Sequence, residues 1–181
     1  MDKERILKDG EAFARRLLEG DSSGHGYDHI ERVVYNAKAI LKKEKADAFI
    51  VLLACLLHDV DDDKLFPESK DLDHARAFLK EEQVEEDVAN SILSCIKTVS
   101  FKGKETKVPE TIEGKIVQDA DRLDAIGAIG IARAFAYGGK HDRLLYKENE
   151  VYRTDMTFQE YRQGKVRRSP ISMRSSSFSR T

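Results

Sequence analysis

Four side chains of types that bind metal ions stand at three separate places in the sequence. His29 begins the stretch HIERVVYNAKAIL, His58 and Asp59 follow the apolar run LLACLL, and Asp121 lies within QDADRLD. Two imidazoles and two carboxylates form a mixed nitrogen and oxygen ligand set that suits Mn, Fe, Co, Ni, Zn or, less readily, Mg. Four such ligands on a six-coordinate ion would leave positions for water, whose pKa the ion would lower toward neutrality.

The segment around His58 and Asp59 begins with apolar residues that suit a buried core and ends with charged residues. In LLACLLHDVDDDK, residues 52–64, three further aspartates at 61–63 follow Asp59. Carboxylates resist desolvation and repel one another unless something positive lies among them. An adjacent His and Asp can point at one ion only where a helix ends, and this junction offers such a place. Composition and spacing leave open whether the positive group is water, a lysine or a metal, since a lone His is usually an ordinary hydrogen-bonded residue and DDD is usually a solvated turn.

Composition narrows the class of protein. The chain has 181 residues, of which 40% are hydrophobic and 35% charged, and this suits one soluble globular domain. A net charge of −2 provides no global field that would attract nucleic acid or an anionic membrane. Cys55 and Cys95 lie in apolar helical patterns, which favours buried thiols in a reducing compartment over a disulfide framework. Because MDKERILKDGEAF has no secretory signal pattern, we expect a cytoplasmic protein.

The elements that must position these residues are predicted to be helices. Apolar residues recur at helical spacing, prolines are few, and alternating strand patterns are rare. The fold is therefore expected to be all-α, with the almost wholly apolar helix at its centre and with Asp71 or Asp73 and Glu85 or Glu86 as helix caps. The predicted helices are 2–19, 29–44, 46–59 (the central one), 71–83, 85–100 and 112–139. In the last of these, Gly127 and Gly130 would let a neighbouring helix approach closely, and Gly138-Gly139 would end it.

Three motifs together carry a family resemblance. GYDHIERV, LLHDVDDDKL and KIVQDADRLDAIGAIGIAR, in this order, resemble the metal-dependent phosphohydrolases of the HD superfamily, and within it a small bacterial branch of nucleotide-pyrophosphohydrolase-like proteins. The resemblance spans residues 1–160. It implies a single HD-domain helical bundle around one divalent ion held by His29, His58, Asp59 and Asp121. It also implies hydrolysis of a phosphate ester or anhydride.

The resemblance extends to residues near the ligands. Asp62 matches an acidic position near the metal, where it would orient or deprotonate the attacking water. Lys64 and Arg122 would supply the positive charge that a phosphate needs. Asp124, three residues after Asp121, would accept a hydrogen bond from a ligand histidine. The alternatives are a solvated turn for Asp62 and ordinary surface ion pairs for the two cations.

His25 is a candidate phosphate contact in SGHGYDH. Branch members often have HD at this place, whereas Gly26 stands here instead of the acid, and Asp28 could supply that charge. His74 and His141 are expected to be capping or surface residues.

The expected reaction converts a nucleoside or deoxynucleoside triphosphate to the monophosphate and pyrophosphate, so the expected partner is a small phosphorylated molecule, a nucleotide. A 5′-nucleotidase or a cyclic phosphodiesterase is the second expectation. Two rivals come from other classes: a non-catalytic nucleotide sensor, and a di-metal oxidase that would need further His ligands.

The C-terminal tail, residues 161–181, has no helical period and is rich in Ser and Arg. Branch members continue here with a helix that opens in a stretch like HFYEKL. One permitted set of codons for PISMRSSSFSRT, read one base earlier from the last base of the Pro170 codon, encodes HFYEKLLLLKD. We therefore hypothesise that residues from about 165 onward are out of frame and that native C-terminal helices are missing, which would expose apolar surface and favour self-association. A naturally disordered tail is the alternative.

Overall fold

The structure is a computed structural model of the chain. It describes residues 1–21, 26–63, 65–99, 108–140, 142 and 144. These residues form seven α-helices and no strand, which confirms the all-α prediction. The helices are α1 (Lys3–Leu18), α2 (Tyr27–Leu41), α3 (Ala48–Leu57), α4 (Asp73–Glu81), α5 (Glu86–Val99), α6 (Ile112–Asp124) and α7 (Gly127–Lys140). In this described part, no helix is both long and apolar enough to cross a membrane. The predicted domain boundary at residue 160 and the tail 161–181 lie outside the described residues.

Helix α3 is the centre of the fold, as its apolar sequence predicts. It packs against α1, α2, α5 and α6, and Val51, Leu53 and Leu57 are fully buried. The helix begins where Asp47 accepts hydrogen bonds from the backbone N–H groups of Phe49 and Ile50. His58 and Asp59 follow its other end. The core also contains both cysteines, which are free and buried as predicted, and burial raises the pKa of Cys95 to about 11.

Helices α2 and α6 lie against α3 and against each other. Their apolar faces turn to the core through Ile30 and Val33 of α2 and through Ile116 and Val117 of α6. Because residues three or four apart share a helix face, this packing also directs the polar residues of the same faces toward the end of α3.

The predicted long helix 112–139 is wrong, because the chain turns between α6 and α7. Gly127 has φ +78°, a left-handed conformation that glycine adopts without steric cost. Gly130 does not admit a neighbouring helix: a Cβ there would collide with the carbonyl of Ala125, so its small size serves this turn. Gly138-Gly139 do not end α7, which continues to Lys140, and no residue of α7 is buried.

The predicted cap of α4 is also wrong. The residue before α4 is Leu72, which has a left-handed backbone at φ 65° and offers no side-chain cap. The first N–H groups of the helix are bound by Asp61, a residue from the turn after α3. Glu86 is the first residue of α5 and lies in its first turn, where an acidic side chain favours the helix dipole.

Candidate metal centre

The two histidines and Asp121 meet at one point although they come from three parts of the chain. The Nε2 atoms of His29 and His58 are 3.3 Å apart. Asp121 Oδ1 lies 3.3 Å from Nε2 of His29 and 3.8 Å from Nε2 of His58. Three ligand atoms within this range can share one ion.

Asp59, the fourth predicted ligand, lies against both histidines but outside the group of ligand atoms within 4.8 Å of one another that His29, His58 and Asp121 form; the four residues together are called the cluster. Its Oδ2 is 3.6 Å from His29 Nε2 and its Oδ1 is 3.4 Å from His58 Nε2. Oδ2 is also buried and has no hydrogen-bond partner in the described part of the chain, an arrangement that costs free energy unless a positive group is present. Helix α3 ends at Leu57, and its C-cap residue His58 still has a helical backbone, so His58 and Asp59 lie at the junction between the helix and the following turn.

The hydrogen bonds of the two rings determine which nitrogen faces the cluster. His58 Nδ1 donates to the carbonyl of Cys55 at 2.8 Å, and His29 Nδ1 donates to the carboxylate of Asp124 at 2.7 Å. Carbonyl and carboxylate oxygens accept only, so each Nδ1 carries its proton and each Nε2 presents a lone pair. Two facing lone pairs repel unless a proton or a cation lies between them.

The separation of these nitrogens fits a divalent ion. Two nitrogens about 2.1 Å from one ion, at ligand angles of about 90–110°, lie roughly 3.0–3.4 Å apart, and the observed Nε2 separation is 3.3 Å. Together with two carboxylates this donor set suits a transition-metal ion of the Mn to Zn series. The residues present therefore fit the metal that the sequence predicts.

Without a metal, a proton takes this place. Burial opposes a charge on His29, but its hydrogen bonds with Asp121 and Asp124 and the charge of Asp59 outweigh burial and raise the pKa of His29 to about 9. Burial likewise opposes ionisation of Asp121, yet the His29 hydrogen bond and the nearby His58 lower the pKa of Asp121 below its usual value. A metal ion must therefore displace a proton from His29.

Asp124 connects the cluster to two arginines that sequence reasoning missed. Its Oδ1 accepts from Arg32 Nε at 2.6 Å, and its Oδ2 accepts from Arg133 Nη1 at 2.6 Å. Burial opposes its ionisation, but the hydrogen bond with His29 and these two arginines hold the pKa of Asp124 well below the usual range. The sequence could have indicated Arg32, because it lies three residues after His29 on the same face of α2. The sequence could not have indicated Arg133, because that residue reaches Asp124 only through the turn at Gly127.

A cleft of about 260 Å³ opens beside this carboxylate. Asp28 and Arg32 of α2 line one side, and Ile129 and Arg133 of α7 line the other. Asp28, the alternative charge for the missing acid at Gly26, forms an ion pair with Arg32 at 2.8 Å.

The aspartates that follow Asp59 do not behave alike. The sequence predicts that they face the same positive centre, and for Asp61 this is wrong because its carboxylate binds the start of α4. Asp62 is partly buried in the turn, and its proposed action on water stays a prediction. Arg122 is partly buried, and its side chain makes no hydrogen bond or ion pair within the described part of the chain. His25, Lys64 and His141 lie outside the described residues, so their predicted roles stay predictions.

The sequence pattern of the HD domain matches residues 26–126, a segment that contains all four residues of the cluster. This chain belongs to the HD domain family. Among its relatives, YpgQ of Bacillus subtilis is 44% identical over 142 residues, which are 76% of this chain and 69% of YpgQ.

Solved structures of similar proteins share the fold. A crystal structure from Lactobacillus plantarum has a TM-score of 0.77 and 36% identity, over 90% of this chain and 76% of that one. A crystal structure of Bacillus subtilis YpgQ in complex with ADP has a TM-score of 0.64 and 36% identity, over 80% of this chain and 73% of YpgQ. An HD-superfamily hydrolase from Bacillus thuringiensis has a TM-score of 0.64 and 38% identity, over 91% of this chain and 80% of that one.

The predicted family and class of enzyme are thus confirmed: the chain is an HD-domain hydrolase, a metal-dependent phosphohydrolase. Its narrower assignment to the nucleotide-pyrophosphohydrolase branch stays a prediction.

Proposed function

We propose that this HD domain hydrolyses nucleoside or deoxynucleoside triphosphates to the monophosphate and pyrophosphate. The observation that carries the proposal is the pair of Nε2 atoms 3.3 Å apart, beside Asp59 Oδ2, which has no hydrogen-bond partner among the described residues. A positive group, either a proton or a metal ion, stabilises this arrangement, and a divalent cation is what phosphoryl transfer from an anionic substrate needs. Support for a nucleotide comes from the ADP complex of YpgQ, a relative of this chain.

When bound by His29, His58, Asp59 and Asp121, a divalent ion polarises a phosphoryl oxygen and lowers the pKa of a water molecule. The side of the cluster that faces solvent is that of Asp121, whose side chain is 28% exposed, against 2% for each histidine and 12% for Asp59. Substrate and water therefore reach the cluster past Asp121.

The other residues have proposed roles around this opening. Asp62 follows the ligand pair by three residues, and we assign it to orienting the attacking water and accepting its proton. Lys64 and Arg122 balance the negative charge that develops on the leaving pyrophosphate. His25, two residues before Tyr27 in the sequence, is assigned to phosphate binding.

Asp124 keeps His29 ready for the ion. Its carboxylate accepts the Nδ1 proton of His29 at 2.7 Å, which directs the Nε2 lone pair inward and increases the basicity of the ring. The cleft beside it is lined by two guanidinium groups, two carboxylates and three apolar side chains: Arg32, Arg133, Asp21, Asp28, Ile129, Ala132 and Ala136.

The test is a substrate screen with separate detection of phosphate and pyrophosphate. Chelator-treated protein would be reloaded with Mg, Mn, Co or Ni and offered nucleoside mono-, di- and triphosphates, their deoxy forms and cyclic monophosphates. We expect pyrophosphate and monophosphate from triphosphates, and neither from Asp121→Ala, which should lose the ion. Asp119→Ala is the matched control, because it removes an exposed carboxylate of the same helix two residues before Asp121.

Other outcomes identify the alternatives. Phosphate released from monophosphates would establish a 5′-nucleotidase, and turnover of cyclic substrates would establish a cyclic phosphodiesterase. The ADP complex of YpgQ is equally compatible with binding alone, so nucleotide binding without turnover under every metal would establish a sensor. A wild-type protein that binds neither metal nor nucleotide would refute the proposal.

A further inference from the structure

The geometry points to Asp61 as a positioning residue for the metal centre, and this inference rests on the proposed metal site. Asp61 fastens the turn that carries His58 and Asp59 to the beginning of α4. Its carboxylate is almost fully buried, with 2% of the side chain exposed. Oδ1 accepts from the backbone N–H of His74 at 2.9 Å, and Oδ2 accepts from that of Ala75 at 2.9 Å.

Further bonds strengthen this attachment. The hydroxyl of Ser69 also donates to Asp61 Oδ1. His74 Nδ1 donates to the carbonyl of Val60 at 2.9 Å, and its ring packs edge-on against Phe66 with centroids 5.0 Å apart. Helix α4 therefore binds two groups of the turn: the backbone carbonyl of Val60 and the side chain of Asp61.

The attachment matters because it acts on the turn that follows α3. Val60 is buried in the core, and the N–H of Asp62 donates to the carbonyl of Asp59 at 3.1 Å. Neither contact reaches the side chain of Asp59, whose Oδ2 has no hydrogen-bond partner among the described residues. The direction of Asp59 is thus set by the backbone of residues 59–61. Metal ligands must be held within roughly 0.5 Å of their productive positions by supporting contacts, and Asp61 provides such a contact.

The same carboxylate is needed by α4. A helix begins with four backbone N–H groups that lack internal partners and with a partial positive charge. Leu72, the residue at the cap position, offers no acceptor, so Asp61 caps α4 from a distance. One group therefore joins the start of α4 to the end of the metal-binding turn.

A purely structural role must be separated from a positioning role, and the chain offers a matched control. Asp47 caps α3 with the same kind of bonds, from the N–H groups of Phe49 at 2.8 Å and Ile50 at 3.3 Å. It lies at the opposite end of α3 from His58. Asp47→Ala and Asp61→Ala each remove a carboxylate that caps a helix, but only the second touches the turn.

The experiment measures binding of Mn²⁺ and Co²⁺ to metal-free proteins by calorimetry, together with the visible spectrum of bound Co²⁺ and the thermal midpoint. We expect both alanine variants to lower the midpoint. Only Asp61→Ala should weaken metal binding, by about 10–100-fold as for other groups that support ligands, and only it should change the Co²⁺ spectrum. Asp61→Asn, which retains one acceptor oxygen, should recover part of the affinity, and Asp63→Asn should match wild type.

If Asp61→Ala does not fold, His74→Ala carries the test, because it removes the bond to the Val60 carbonyl and should weaken binding in the same direction. A folded Asp61→Ala or His74→Ala variant with the metal affinity and Co²⁺ spectrum of the wild type would overturn this inference and leave the proposed function standing. An equal loss of affinity in Asp47→Ala would also overturn it. No metal binding by the wild type would overturn both the inference and the proposed function.

Discussion

Asp124→Asn should uncouple metal binding from the proton on His29. The carboxylate is almost fully buried and accepts from His29 Nδ1 at 2.7 Å as well as from Arg32 and Arg133. An amide has one acceptor oxygen and no charge, so it cannot replace these bonds together. The change preserves shape while it removes the charge that stabilises a protonated His29.

The sign of the effect follows from the raised pKa. In the metal-free wild type the pKa of His29 is raised from 6.5 to about 9, a shift on the order of 3 kcal/mol. This stabilisation is fully present below pH 6.5 and is lost as pH rises through about 9. Because a metal must displace this proton, its affinity should rise about tenfold per pH unit up to pH 9 and then level off.

In Asp124→Asn the pKa of His29 should fall, because its hydrogen bond to a charged carboxylate is lost and Asp124 no longer offsets the positive charge of Arg133 beside it. Metal affinity should decrease by about 10–100-fold at high pH, where no proton competes. The free energy of unfolding should decrease by about 2–3 kcal/mol, a figure discounted because both arginines reach solvent.

The assay is calorimetric titration of Mn²⁺ at several pH values between about 6.5 and 8.5, in buffers of different ionisation enthalpy, which counts the protons released. At pH near 7.5 we expect close to one proton from the wild type and clearly less from the variant. Asp28→Asn is the control, because Asp28 pairs with the same Arg32 at 2.8 Å but is not bonded to His29. Proton release that is unchanged in Asp124→Asn, or absent in the wild type, would refute the reasoning.

Four further predictions follow from the same structure. Asp62→Asn should retain the metal and lower turnover by about 10²–10⁴-fold; wild-type rates would assign water activation to another group. Gly127→Ala should lower the free energy of unfolding by about 1–2 kcal/mol because of its φ of +78°, whereas Gly139→Ala, inside a helix with open space around it, should raise the thermal midpoint slightly. Since Phe135 is 41% exposed on a helix without buried residues, we expect concentration-dependent association in sedimentation and its reduction by Phe135→Glu. Sequencing the coding DNA tests the frameshift hypothesis for the tail. If the shifted reading frame from about residue 165 encodes nothing that resembles the family, the hypothesis is wrong.

Much of the fold could be predicted because its signals are local. The apolar run of α3 predicts the central helix, and the polar residues after it predict where that helix ends. The placement of His58 and Asp59 at this end follows from the same pattern. His29 on α2 and Asp121 on α6 share faces with buried residues of their own helices, so their direction toward the core was also accessible from sequence.

The break at Gly127 shows where local signals conflict. Apolar residues continue at helical spacing across residues 123–131, which favours one helix, while glycine at 127 permits a turn. Only the tertiary structure decides, because the turn brings Arg133 back to Asp124 at 2.6 Å. An ion pair between residues on two separate helices has no signature in the sequence of either one.

The aspartates at 61–63 also differ in ways that only their tertiary contacts determine. By residue type they are identical, and sequence reasoning assigns them one common positive partner. The structure separates them because α4 places its first N–H groups beside the buried side chain of Asp61 and leaves Asp63 exposed. The sequence by itself determined which residue types are available at the end of α3 and that a helix ends there, since both depend on neighbours along the chain. Which carboxylate supports the turn, and which nitrogens lie 3.3 Å apart, was decided only by the packing of helices distant in sequence, since each of those contacts depends on where a second element comes to rest.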